Sequence, residues 1–328
     1  MQSSDLTYSR NVFLPLTDVC HNHCAYCTFK EPVRDGCIME EKDVTDTLLR
    51  GASFGCTEAL FTFGERPELE AGFLDQLKKT GYDSILDYCY KMSEKAIEAG
   101  LLPHTNAGIL DYNELEWLKD VNASMGLMLE TTKDIPAHKN SPGKKPEVRI
   151  AMMEDAGKLH IPFTTGLLLG IGEAMSDREE SLEIIKSLHR RYGHIQEIII
   201  QNFCPKPGTA MEKWPVPSTE DISETIKLAV EILPDDISIQ IPPNLTDAKT
   251  LIDCGVNDLG GVSPVTIDYV NPEHPWPKID ELKALAGDKA LNERLCIYQK
   301  YIDKGWYPSG LTGLIERLNK DIHNRCDK

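Results

Sequence analysis

The chain has 328 residues, with 52 acidic against 35 basic side chains and a formal charge of −17. That length leaves room for one large domain or two ordinary ones, and the acidic balance argues against nucleic acid as the main partner, since phosphate binding relies on clustered Lys and Arg. No apolar stretch approaches the ~20 residues of a membrane span, and the start, Met1-Gln2-Ser3-Ser4-Asp5, lacks the regions of a secretory signal, so a cytoplasmic protein without membrane contact is expected, its ten scattered cysteines kept reduced.

Short apolar runs alternate with longer amphipathic ones along the chain. Residues 11–16 read as a first strand, followed by a cysteine-rich loop and a helix over 41–53. Residues 58–63 read as a second strand and 69–100 as a long helical stretch ending at Gly100. A third strand follows at 102–106 and a fourth at 123–129. Residues 146–157 read as a helix with Pro146 near its start and Gly157 near its end. The fifth strand is 163–169, then a helix at 176–192 opening on a sequence close to a capping box. The sixth strand is 198–202, followed by a helix at 219–232. Residues 237–241 and 260–262 supply two further candidate strands, and everything from 279 onward reads as helix.

Repeated βα units of this kind indicate a parallel α/β fold. The expected architecture is a (β/α) barrel over residues 1–278, partial six-stranded or near-complete TIM-like, with a C-terminal helical extension at 279–328 packed on the same domain. A doubly wound sheet is the alternative. Either fold gathers ligands where strand C-termini meet the following loops.

The chemistry-bearing motifs fall at those ends. After the first strand, Cys20-His21-Asn22-His23-Cys24-Ala25-Tyr26-Cys27 sets three thiols in C-x3-C-x2-C spacing. Three thiolates on one loop can hold three irons of a cubane cluster and leave the fourth iron open. A closed zinc site is the rival reading, but it wants four ligands, and His21 and His23 lack the usual spacing to a second cysteine pair. Thr62-Phe63-Gly64-Glu65 follows the second strand, where Gly64 permits close backbone approach. The fourth strand ends on Glu130, and Arg149 follows on the next helix; an arginine fork suits a ligand carboxylate. Gly166 to Glu173 is a glycine-punctuated strand end that includes Gly170. Residues 200–209 carry Asn202 and Cys204 before a Pro-Gly turn. Thr164, Asn202 and Cys204 are the weak candidates for a catalytic part, and for Cys204 a small buried hydrophobe is the preferred reading.

On these residues the chain resembles the radical S-adenosylmethionine (SAM) superfamily, whose signature is this cysteine spacing with an aromatic residue before the third thiol. Over residues 8–276 it resembles the cyclising subunit of the deazariboflavin synthase family. Segments 11–29, 61–68, 140–149, 166–173, 201–209 and 258–264 carry the likeness, and Thr28-Phe29 after Cys27 separates it from the partner subunit, which usually has Ala-Phe there. The resemblance implies a [4Fe-4S] cluster on Cys20, Cys24 and Cys27, and SAM held by Tyr26, Gly64, Glu65, Glu130, Arg149 and Gly170. It departs at Phe63, where the superfamily often carries the first glycine of Gly-Gly-Glu. The implied reaction is a lyase step. A 5′-deoxyadenosyl radical abstracts hydrogen from 5-amino-5-(4-hydroxybenzyl)-6-(D-ribitylimino)-5,6-dihydrouracil, which cyclises with ammonia loss to the deazaflavin of coenzyme F420. The implied partners are that small-molecule adduct, the partner synthase subunit, and an electron donor such as a ferredoxin or flavodoxin. The 4-hydroxybenzyl-transferring subunit and a biotin-synthase-like enzyme are the alternatives.

Overall fold

The computed structural model describes residues 5–326. Nine strands form: β1 Leu6–Leu14, β2 Glu58–Thr62, β3 Leu102–Asn106, β4 Ser124–Gly126, β5 Phe163–Leu169, β6 Ile195–Asn202, β7 Ser238–Gln240, β8 Asp258–Val262 and β9 Leu291–Glu293. Every pairing between them is parallel. The order runs β2 through β8 to β1, and β1 also pairs with β2, so eight strands close into a barrel. Parallel strands buried on both faces read as continuous apolar runs, and all seven residues of β5 are buried.

Helices cross over between successive strands. They are α1 Glu41–Ser53, α2 Phe73–Leu77, α3 Ile85–Ala99, α4 Tyr112–Lys119, α5 Pro146–Lys158, α6 Met175–Tyr192, α7 Thr219–Ile232 and α8 Ala248–Ile252. After β8 come α9 Ile279–Ala286, then β9, α10 Gln299–Asp303 and α11 Thr312–Cys326.

Four local expectations are corrected. The helical stretch at 69–100 breaks into α2 and α3, because Gly81 adopts φ 90° and Ser84 then caps a fresh helix by accepting from the Asp87 N–H. The short helix α4 was not read, although Asp111 and Glu114 form a complete capping box. β1 starts at Leu6 because its polar residues find partners inside the barrel: the Ser9 hydroxyl donates to Glu58 at 2.7 Å, and Thr7 donates to Asp258.

The fourth correction lies in the C-terminal extension, which is helical except for one strand. β9 pairs with β1 over Leu6–Tyr8, below the stretch Asn11–Leu14 that β2 occupies. Its continuation plugs the end of the barrel formed by strand N-termini. There Arg294 donates to Glu197 at 2.6 Å and to Asp258 at 2.6 and 2.8 Å. The Tyr298 hydroxyl joins both carboxylates, and the Cys296 carbonyl accepts from Ser124 and Gln196, each at 2.8 Å. With that floor closed, the opposite, C-terminal mouth is the open end.

Candidate functional site

The mouth contains a cavity of about 370 Å³. The loop after β1 forms one wall. His21 N–H donates to the Glu65 carbonyl at 2.8 Å, His23 N–H to Asn140 at 3.2 Å and Ala25 N–H to Ala137 at 2.8 Å. Alternate residues of the cysteine loop are thus pinned between the loop after β2 and the segment 137–140. Cys20, Cys24 and Cys27 are free thiols, and all three line the cavity. The Glu65 N–H donates to Cys20 Sγ at 3.2 Å, and the Ser141 hydroxyl to Cys24 Sγ at 3.4 Å. Burial pushes the Cys20 thiol up to about 11 and raises Cys27.

These donors suit an iron–sulfur cluster. Hydrogen bonds to the sulfurs tune such clusters, and a metal would take the place of the thiol protons. Among the described residues no three His, Cys, Asp or Glu side chains are placed to hold one metal ion, as a closed zinc site requires. A cubane sets each thiolate on its own iron and does not need that convergence.

Gly64 lies against the cysteine loop. A Cβ there would stand 1.9 Å from the Val19 carbonyl oxygen and 2.9 Å from Cys20 Cβ. Its close approach is therefore to the cysteine loop's own backbone, besides facing the cavity. The Glu65 carboxylate is fully engaged: it accepts from Asn22 Nδ2 at 2.7 Å, from the Ile109 N–H at 3.1 Å and from Arg149 at 3.4 Å. It ties the cysteine loop, the loop after β3 and α5 together.

Glu130 sits at φ 68°, an uncommon conformation for a residue with a Cβ. It is held there by bonding its N–H to the Gly166 carbonyl at 2.9 Å, while its own carbonyl accepts from Leu168 at 3.1 Å. Its carboxylate is ion-paired with Lys144. Burial pushes the Glu130 carboxyl up, but the Lys144 and Arg149 cations outweigh that and hold it below its ordinary range. Arg149, 2 % exposed, donates to the Met128 carbonyl and to Glu65, and its Nε has no partner. Each of the two buried acids thus has a cation beside it: Lys144 at Glu130 and Arg149 at Glu65.

Tyr26 packs against an apolar cluster containing Ile135, Leu168 and Phe203, with its hydroxyl 3.0 Å from His138 Nε2. Burial lowers His138 to about 4, so the imidazole is neutral at pH 7. Thr164 lines the cavity and donates to Glu197 at 2.8 Å, linking the chamber to the network in the floor.

The mouth therefore brings together the three cysteines with Tyr26, Gly64 and Glu65, and across from them Glu130, Arg149 and Thr164. Three predicted residues stand apart. Gly170 is not among the cavity residues; a Cβ there would meet Pro217 at 2.4 Å, and its N–H is bonded to Glu173 at 2.8 Å, so packing explains it. Asn202 and Cys204 line a smaller neighbouring pocket. Asn22, His138 and Lys144 were missed. Lys144 lies fourteen residues from Glu130, a separation with no helical or strand period, and only its place in the segment 140–149 pointed to it.

Residues 14–185 match the protein-family model described as Radical SAM superfamily. Over 317 residues the chain is 65% identical to the 7,8-didemethyl-8-hydroxy-5-deazariboflavin synthase of Methanoculleus marisnigri, covering 97% of this chain and 96% of that protein. It is 62% identical over 322 residues to the synthase of the same name from Methanoregula boonei, covering 98% of each. The synthase of Archaeoglobus fulgidus is 52% identical over 317 residues, with 96% and 97% covered. Among solved structures, the FeFe-hydrogenase maturase HydG from Carboxydothermus hydrogenoformans superposes with a TM-score of 0.70 at 15% identity, over 97% of this chain and 77% of that one. Methylornithine synthase (PylB) gives 0.62 at 16%, over 93% and 84%. At such identities the two structures speak for the fold alone.

Proposed function

The chain belongs to the 7,8-didemethyl-8-hydroxy-5-deazariboflavin synthase family of the radical SAM superfamily, and from that membership and the mouth cavity we propose that it catalyses the ring closure that yields the deazaflavin. The substrate in this reading is 5-amino-5-(4-hydroxybenzyl)-6-(D-ribitylimino)-5,6-dihydrouracil, which cyclises with loss of ammonia. The observation that carries it is the chamber itself: three free thiols on one wall, and opposite them about 370 Å³ of the size and mixed polarity that small-molecule sites have.

Cys20, Cys24 and Cys27 would hold a [4Fe-4S] cluster, and Gly64, Glu130 and Arg149 would frame the SAM beside it. When bound, cluster and SAM together supply a 5′-deoxyadenosyl radical that abstracts hydrogen. The protein's own part is to orient and to exclude. Leu127, Met128, Leu168, Ile199 and Val270 give the chamber an apolar lining that keeps water out. Glu65 and Glu130 are matched by Arg149 and Lys144, so neither buried carboxylate of the chamber stands without a cation. Cys204, a ready hydrogen donor, lies outside it. Asn106, Thr164 and Gln201 offer hydrogen-bonding groups to the pyrimidine ring.

The reading includes an electron donor of ferredoxin or flavodoxin type, adduct supplied by the partner synthase subunit, and work in a reducing cytoplasm. No helix among the described residues is long and apolar enough to cross a membrane. Anaerobic incubation with SAM, a chemical reductant and the adduct tests it: a fluorescent deazaflavin must form. Replacing Cys20, Cys24 or Cys27 by Ala must abolish bound iron and product together, and turnover retained without iron overturns the assignment.

A further inference from the structure

Beside the chamber lies a smaller pocket of about 80 Å³. Tyr26, Cys27, Leu168, Gln201 and Val270 line both, so the two spaces adjoin. Beyond them the small pocket is bordered by Asn202, Cys204, Lys206 and Asn271.

Asn202 is 3 % exposed. Its Nδ2 donates to the Leu245 carbonyl at 3.2 Å and lies 3.5 Å from Cys204 Sγ. A carbonyl only accepts, so this contact fixes which end of the amide is nitrogen. The other end, Oδ1, is buried with no partner. Nearly all buried polar groups in native proteins are paired, so an orphan acceptor beside a cavity marks the place of a ligand donor. The neighbouring protein donors bond elsewhere: Lys206 is ion-paired with Glu273, and Asn271 Nδ2 donates to Asp268 at 3.2 Å. The pocket is about a fifth of the chamber's volume, which suits a short hydroxylated chain better than the ring system.

We propose that this pocket is the subsite for the hydroxyls of the substrate's ribityl chain, one of which donates to Asn202 Oδ1. The inference rests on the deazaflavin reading above. It adds a direction: the ring system lies in the chamber near the thiols and the polyol runs toward β6.

The product deazaflavin is fluorescent and retains the ribityl chain, so its binding to the cluster-loaded protein can be titrated without turnover. The comparison is between the ribityl compound and the analogue carrying a methyl group at the same nitrogen. Wild type should bind the ribityl compound about tenfold more tightly, the worth of a well-placed hydrogen bond. Asn202→Ala should abolish that preference while the methyl analogue binds as before. Cys204→Leu, which fills the pocket and leaves the amide its bond to the Leu245 carbonyl, should abolish it too, and serves alone if Asn202→Ala fails to fold. A preference that survives in the folded variants, or one missing from wild type, overturns the subsite. If the wild type still converts the adduct to deazaflavin in that case, the functional reading stands and only the subsite falls; if no deazaflavin forms at all, both fall.

Discussion

Replacing Gly64 by Ala tests whether the cysteine loop is seated on the loop after β2. The new Cβ would lie 1.9 Å from the Val19 oxygen and 2.5 Å from its carbonyl carbon, and both are backbone atoms that no rotamer change can remove. Bringing the first contact to a tolerable 3.0 Å requires a shift of about 1 Å, and overpacking of this kind typically costs ~1–3 kcal/mol. The shift acts on the bonds that join the two loops: Gly64 N–H to the Thr17 carbonyl at 2.9 Å, His21 N–H to Glu65 at 2.8 Å and Glu65 N–H to Cys20 Sγ at 3.2 Å. Weakening these brings the total to on the order of 3 kcal/mol, less than the stability of an ordinary domain, so the variant should fold. Its thiols should be misplaced, and a 1 Å error at a reacting centre costs about a hundredfold in rate. Iron per chain, 5′-deoxyadenosine formation and thermal melting measured together should show reduced iron, turnover down about a hundredfold and a lowered midpoint. Gly310→Ala, with nothing within 4 Å of the new Cβ, is the silent control. Wild-type iron content and turnover in Gly64→Ala would refute the reasoning.

Lys144→Met leaves the buried Glu130 carboxylate without its closest cation and should cost about 3–5 kcal/mol in urea unfolding. Adding Glu130→Gln should recover part of that, and strict additivity would argue against the pair. Because Glu130 is held below its ordinary range, this contribution is present at neutral pH and lost only as pH falls through the lowered value. Glu58 behaves in the opposite sense. Burial raises it from 4.5 to about 7, so between those values the folded state binds more protons than the unfolded one, and stability falls as pH rises through that window. Glu58→Gln keeps an acceptor for Ser9 and should remove a slope worth on the order of 3 kcal/mol between pH 4.5 and 7; an unchanged pH profile of unfolding would contradict it. Arg294→Met strips the cation from beside Glu197 and Asp258 and should cost at least about 3–5 kcal/mol, read as a collapsed urea midpoint or loss of soluble protein.

The barrel was legible because its information is local. Periods of hydrophobicity, Pro146 at a helix start and the apolar run of β5 are properties of neighbouring residues, and β3, β5 and α1 fall where the pattern places them. Short elements escaped. α4 at Tyr112–Lys119 was not read, and β9 spans Leu291–Glu293, too few residues to show a period, whereas β7 at Ser238–Gln240 falls inside the run 237–241 read as a strand. β9 is a strand because β1 offers it a free edge, and that edge exists only in the folded barrel.

The same division runs through the site. The sequence by itself determined the three thiols, their spacing and their place after the first strand, because one short loop carries them all. It could also set Glu130 and Arg149 at the mouth, since each follows from strand and helix order. Only the tertiary structure decided what those groups do. It saturated Glu65 with Asn22, Ile109 and Arg149, paired Glu130 with Lys144, turned Gly170 to packing and left Asn202 Oδ1 open beside a second pocket. Each of these depends on which side chains meet across segments that are distant in the chain. Burial then acts on the groups so assembled, because removing them from water makes every matched charge stabilising and every unmatched one costly.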